Sequence, residues 1–144
     1  MTYKTVAPGH VWLGLDPGLT TGWAVIADNG EVLGSGNLPV SDLERGLDEL
    51  VRGLHRSGHA IDAVVERMPR VGGAGKMAKQ MEDVWRALYV VVEATYEVPY
   101  LFVAPGEWKP SRVARTTKLK RGMTPHQRDA IRMTLYMMEK THGK

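Results

Sequence analysis

Apolar positions alternate through residues 11–16, where Val11, Leu13 and Leu15 are set around Trp12 and Gly14. Both faces are apolar, which predicts a strand in the interior of a sheet. Residues 22–27 predict a second strand. Asp28-Asn29-Gly30 after it is a hairpin signal, because Asn-Gly accepts the positive φ of a tight reversal. Residues 31–38 predict a third strand whose Gly34 and Gly36 mark a bulge or an edge. Three short strands in succession predict an antiparallel meander. The period then lengthens: Leu43, Leu47, Leu50, Val51 and Leu54 share one helical face, opened by a capping box at Ser41 and Glu44 and stopped at Gly58.

Residues 60–66 predict a fourth strand which, entered from a helix, lies parallel to the first. Residues 68–75, with Pro69 and a glycine cluster, predict a loop. Residues 76–96 predict one long helix with Met77, Met81, Val84, Trp85, Leu88 and Val92 as its apolar stripe. Residues 99–104 predict a fifth strand, and 105–122 a basic loop with one turn of helix near Glu107-Trp108. The last helix has a crisp start. Thr124 suits the N-cap, Pro125 the first turn, and Gln127 completes a second capping box. Ile131, Leu135 and Met138 line its apolar side, with Ala130, Met133 and Met137 beside them. The expected fold class is α/β, a five-stranded mixed sheet with a three-strand antiparallel meander plus parallel strands, flanked by helices.

At 144 residues the chain predicts one domain over 11–144, preceded by a flexible tail over 1–10. There is no cysteine, which excludes disulfides and thiolate metal sites, and no signal-peptide or membrane-length apolar run. A cytoplasmic location without membrane association is the expectation. Net charge is only +3, but seven basic residues fall between 108 and 128 with no acidic residue among them. They are Lys109, Arg112, Arg115, Lys118, Lys120, Arg121 and Arg128. Such a local positive field suits either a solvated loop or a phosphate-tracking surface.

The first and fourth strands each end on a carboxylate, Asp16 and Glu66, and ligand sites in open α/β sheets gather beyond those ends. The two side chains could converge on a hard divalent cation, which takes oxygen ligands. His126 and Asp129, three residues apart near the start of the last helix, offer a third element on one helical face.

Asp16-Pro-Gly-Leu-Thr-Thr-Gly-Trp23 after the first strand, Val64-Val-Glu66 on the fourth, and His126-Gln-Arg-Asp-Ala130 on the last helix resemble the RuvC-type Holliday junction resolvases. These are nucleases of the ribonuclease H-like superfamily. The compact length and the Pro105-Gly-Glu-Trp-Lys109 stretch are most similar to bacteriophage members, whose location would be the host cytoplasm. The resemblance spans residues 11–138. It implies Asp16, Glu66, His126 and Asp129 as catalytic metal ligands for Mg²⁺ or Mn²⁺, two ions per site. Asp16 would bridge, with Glu66 on one ion and Asp129 and His126 on the other. His126 stands where many members carry aspartate, and an imidazole there favours Mn²⁺.

The implied activity is paired two-metal hydrolysis of four-way junctions by a homodimer, leaving 5′-phosphate and 3′-hydroxyl ends. Met77, Met81, Trp85 and Leu88 are candidates to cross the dyad. The basic segment would hold the strands, Lys118, Lys120 and Arg121 foremost, with Lys109, Arg112 and Arg115 as further candidates. Many members carry an aromatic shortly after the glutamate for use at the junction centre. Here the stretch is Arg67-Met-Pro-Arg70, so Arg67 and Arg70 are the candidates there. The alternatives are a related nuclease acting on flaps or structured RNA, or a nucleic-acid-binding module without cleavage.

Three other signals carry less. Gly72–Lys76 lacks the Ser or Thr of a phosphate-binding P-loop. His55 and His59 have zinc-like spacing, but Gly58 ends the helix between them, and both read as surface residues. The turn at Asp16–Thr21 is similar to the phosphate loop of actin-like ATPases, which need two such domains, so no nucleotide cofactor is expected.

Overall fold

Strand β1 (His10–Asp16) takes the centre of a five-stranded sheet, as its two apolar faces require. The computed structural model describes residues 3–67 and 75–142. With β2 (Thr20–Ala27), β3 (Val32–Pro39), β4 (Ala60–Glu66) and β5 (Tyr100–Val103), the order across the sheet is β3-β2-β1-β4-β5. The first three strands form the expected antiparallel meander, while β4 runs parallel to β1 and β5 parallel to β4. Gly30 turns the hairpin with φ of 90°. The third strand is an edge, as its glycines suggested. The register between β2 and β3 shifts at Val25/Ile26, and Gly36 leaves the space that the Trp23 ring occupies.

Period-2 alternation sorts the strand residues between two cores. Val11, Leu13 and Leu15 of β1 and Ile61, Ala63 and Val65 of β4 face α1 (Leu43–Arg56) and α2 (Lys76–Leu88). In that layer Leu43, Leu47, Leu50, Val51 and Leu54 are all buried, each contributing roughly 2 kcal/mol relative to an exposed position. Trp12, Ala24, Ile26 and Val64 face the other way, onto α5 (Pro125–His142) through Ala130, Ile131 and Met133. Gly14 sits at the crossing of β1 and α5. A Cβ there would collide with the Thr134 hydroxyl and the Ala130 carbonyl, so its missing side chain sets how closely α5 approaches the sheet.

Several expectations are corrected. No capping box forms at Ser41. A 3-10 turn over Val40–Asp42 precedes α1, the Val40 N–H donates to the Leu19 carbonyl, and the cap residue becomes Asp42 without a side-chain cap bond. A tertiary hydrogen bond overrides the local signal. The helix expected over 76–96 stays α-helical only to Leu88 and continues as a π-helix over Tyr89–Thr95. The basic segment is not one loop, since it holds α3 (Pro105–Trp108) and α4 (Arg112–Thr116), the latter capped by Ser111 Oγ accepting from the Ala114 N–H at 3.1 Å. Nor do residues 3–9 lie free. Tyr3 and Val6 pack on the first core, and the Lys4 N–H donates to the Leu33 carbonyl. His59 is buried, its Nδ1 3.0 Å from the Gly9 carbonyl, whereas His55 stacks on Tyr96 at the surface. Among the described residues no helix is long and apolar enough to cross a membrane.

At the opposite end of β1 from Asp16, His10 clamps three elements together. Its Nδ1 lies 2.7 Å from Asp28 and its Nε2 2.5 Å from Asp62. Burial alone would lower its pKa, but the hydrogen bonds and charges of the two carboxylates outweigh burial and raise it. A folded pKa above the unfolded value makes this contribution complete below about pH 6.5 and progressively lost as pH rises through the folded value. The groups are partly exposed, so the effect should be under about 1 kcal/mol. Thermal melts from pH 5.5 to 9 should show a decline that is shallower in His10→Gln than in wild type.

Candidate active site

Asp16 and Glu66 lie on the same face of the sheet because each closes a strand two residues past an α5-facing position, Gly14 and Val64 respectively. In the parallel register Leu15 pairs with Val65, so the two carboxylates follow side by side at the C-terminal ends of β1 and β4. Both are buried, with Asp16 4% and Glu66 5% exposed. Beyond Asp16 the chain turns sharply, held by the Thr21 hydroxyl donating to the Gly18 carbonyl at 3.2 Å.

The N-terminus of α5 roofs this pair. Its capping box forms as expected: the Thr124 N–H donates to Gln127 Oε1 at 3.0 Å, and the Gln127 N–H to Thr124 Oγ1 at 3.2 Å. Both cap residues also reach β3. Asn37 Nδ2 donates to Gln127 Oε1 at 3.1 Å, the Thr124 hydroxyl donates to Asn37 Oδ1 at 2.9 Å, and Gln127 Nε2 donates to Ser35 Oγ at 3.2 Å. The helix start is thereby pinned to the sheet. Gly22 of β2 lies directly beneath, where a Cβ would collide with the backbone and Cβ of His126. His126 Nδ1 consequently stands 3.0 Å from Asp16 Oδ2.

The electrostatics are those of crowded, buried acid. Burial is the largest influence on Glu66 and, with Asp16 beside it, raises its pKa to about 7 against the opposing Trp108 hydrogen bond and Lys109 charge. Asp16 is raised too, chiefly by burial and further by Asp129, while hydrogen bonds to His126 and Glu66 pull it down. Lying side by side and each shifting the other, the two carboxyls titrate as a pair. Asp129 is half-buried and also raised, by burial first and then by the Glu66 charge, with Lys109 opposing. Four groups expected to act together are thus within electrostatic reach of one another.

Among the described residues no three His, Asp or Glu side chains form, as they stand, a group that could hold a metal ion. The donor chemistry nonetheless fits a hard divalent cation: two adjacent buried carboxyls with raised pKa values, a third carboxyl beside them, and one imidazole. A cation there would relieve the repulsion between the neighbouring carboxylates.

The remaining candidates are scattered more widely. Lys109, Arg112, Arg115, Lys118, Lys120 and Arg121 are all exposed along the α3–α4 side. Arg132 Nη2 of α5 donates to the Thr117 carbonyl at 3.4 Å, tying this segment to the helix. Arg67 is exposed with its guanidinium 5.8 Å from the Phe102 ring centre, and Arg70 lies outside the described residues. Of the four dimer candidates, Met81 and Leu88 are spent on the first core and are 7% and 5% exposed. They are corrected to intradomain residues, because their side of the α2 stripe faces α1 and the sheet. Met77 is exposed, and Trp85 borders an apolar cavity of about 260 Å³ with Tyr89, Tyr100 and Phe102.

Trp108 is a further residue of the site, outside the candidates named above. Its indole Nε1 donates to Glu66 Oε2 at 2.6 Å in a buried contact. The available signal was a tryptophan inside an otherwise polar, basic stretch, which a solvated loop does not explain.

No family model matches the chain, and no curated protein matches it at a significant level. Among solved structures, the chain is similar to Thermus thermophilus RuvC in complex with a Holliday junction substrate. The identity is 18% and the TM-score 0.69, over 93% of this chain and 96% of that one. It is similar also to a second T. thermophilus RuvC structure at 17% identity and TM-score 0.66, over 92% and 96%. The fold is therefore the RuvC-type, ribonuclease H-like one.

Proposed function

We propose that this protein is a structure-selective endonuclease that resolves Holliday junctions and related branched DNA by metal-dependent phosphodiester hydrolysis. The observation that carries the reading is the buried Asp16–Glu66 pair at the ends of neighbouring parallel strands, roofed by the helix that brings His126 and Asp129. The RuvC that shares this fold was solved on a Holliday junction, which supports the choice of substrate. Asp16 and Glu66 would hold one Mg²⁺ or Mn²⁺ and Asp16, His126 and Asp129 a second. Bound there, such ions would supply Lewis acidity to an attacking water and to the leaving 3′-oxygen, the chemistry of a hydrolysis that leaves 5′-phosphate and 3′-hydroxyl ends.

The chain's own residues supply position and charge. The Asp16–His126 contact holds the helix start against the strand end. Lys109, whose charge already acts on Glu66 and Asp129, stands beside the site where a scissile phosphate would enter. Lys118, Lys120 and Arg121, with Arg112 and Arg115, offer cations to the flanking strands. Paired nicks require two copies. Met77 and Trp85, with the apolar border formed by Tyr89 and Phe102, are the residues proposed to meet across a two-fold axis.

Purified protein incubated with a synthetic four-way junction, a flap, linear duplex and structured RNA, in Mg²⁺, Mn²⁺ or EDTA, tests the reading. Paired symmetric nicks confined to the junction and abolished by EDTA are expected. Binding without metal-dependent cleavage would sink it, and a preference for flaps or RNA would redirect it. Charge reversal at Lys118 and Lys120 together should weaken junction binding. It should also flatten the slope of log K against log salt by up to about 2, as two lost phosphate contacts require. Electrophoretic titrations at several salt concentrations measure both.

A further inference from the structure

Trp108 is 2% exposed and stands at the end of α3, directly before the basic run. Its indole is a donor only and cannot become an acceptor. It therefore occupies Glu66 Oε2, at 2.6 Å, whichever charge the carboxyl carries, while the register of β1 and β4 sets Asp16 beside the same side chain. Around this contact α3 is held on both sides. Ala104 immediately follows β5, whose Val103 pairs with Glu66 in register. On the far side, the Tyr136 hydroxyl and Lys140 Nζ of α5 donate to Glu107 Oε2 at 2.9 and 2.7 Å. Lys109 Nζ lies 5.7 Å from the Trp108 ring centre. The indole is thus fixed by the fold, and the carboxylate is fixed by the indole.

We propose that Trp108 is a positioning residue for Glu66: it holds one carboxylate oxygen so that the other is presented toward Asp16 for a shared divalent cation. It also links the seat of the basic segment to that oxygen. The inference rests on the nuclease reading for its metal, but it concerns this chain's own hydrogen bond. A partner outside the ligand set typically changes metal affinity or activity by about 10–100-fold when removed.

The experiment compares wild type, Trp108→Phe, and a chain with 3-benzothienylalanine at position 108, an indole isostere without the N–H. Calorimetric titration with Mn²⁺ in the absence of DNA, junction affinity in EDTA, melting temperature in EDTA, and cleavage rate are measured on each. For the isostere, Mn²⁺ affinity and cleavage should both fall about 10-fold or more. Metal-free junction affinity should stay at the wild-type value and melting temperature should fall only by the few degrees that one buried hydrogen bond is worth, whereas a purely packing role predicts no change in Mn²⁺ affinity. Should Trp108→Phe fail to fold, the isostere still decides. Mn²⁺ affinity within about twofold of wild type in the folded isostere overturns the inference, even if the wild type cleaves junctions. A wild type that binds Mn²⁺ yet cleaves nothing defeats the nuclease reading alone, and the affinity comparison still judges Trp108. A wild type that binds no divalent cation overturns both.

Discussion

Asp16→Asn is expected to lower junction cleavage by at least about 10²-fold, the scale on which loss of a fixed charge at a reacting centre is felt. Junction affinity should remain within about twofold, since it comes mainly from the exposed basic side chains. The substitution preserves size, and the new carboxamide oxygen can still accept from His126, so the fold should survive. Its effect on stability separates a built acidic site from an incidental turn residue. Asp16 and Glu66 both have folded pKa values raised above their ordinary ones, Glu66 to about 7. The native state therefore holds protons that the unfolded chain releases. Stability of the metal-free protein must fall as pH rises from the ordinary carboxylate range through about 7. Asn at position 16 removes one of the two charges, so in EDTA at pH 8 the variant should be more stable than wild type, by on the order of 1 kcal/mol. At pH 5 the two should converge. Added Mg²⁺ should raise the wild-type melting temperature at pH 8 and leave the variant nearly unmoved. A variant that still cuts at the wild-type rate, or that melts lower in EDTA at pH 8, is incompatible with the proposed role of Asp16.

Gly22→Ala should be nearly as damaging to cleavage although residue 22 carries no chemistry. The added methyl would occupy the position of the His126 backbone. Strand β2 is hydrogen-bonded on both sides, so the helix start must lift instead. Overpacking of this kind costs about 1–3 kcal/mol. Lifting α5 by about 1 Å would carry His126 and Asp129 away from Asp16 and Glu66, a displacement worth about 10²-fold in rate where geometry is decisive. Gly106→Ala serves as the control, because nothing lies within 4 Å of its added methyl. It should match wild type in both melting temperature and rate. Wild-type cleavage by Gly22→Ala would show that the seat of α5 on β2 is not part of the site.

Much of this architecture was legible in local pattern. Alternation along β1 and β4 places Asp16 and Glu66 on one face, and Thr124 with Gln127 announces the start of α5 through bonds only three residues apart. What local pattern could not carry was decided by distant partners. The box at Ser41 lost to a hydrogen bond from Val40 to Leu19. His59 looked exposed because its partner, the Gly9 carbonyl, lies fifty residues earlier. Met77, Met81 and Leu88 are all apolar, and only packing against α1 and the sheet shows which of them are enclosed. Trp108 could not be assigned to Glu66 because the contact spans 42 residues. The short α4 escaped notice because five residues present no apolar stripe.

The contact between Asp16 and His126 bridges 110 positions of chain, and separations of that length close late in folding. During synthesis at about 5–20 residues per second, all five strands leave the ribosome before the last helix does. A nascent chain can therefore assemble its sheet and even its basic segment while the centre still lacks His126 and Asp129. Under the nuclease reading, a chain whose α5 has not docked can already hold nucleic acid on its basic segment but cannot cut it, so the seating of one helix separates binding from cleavage.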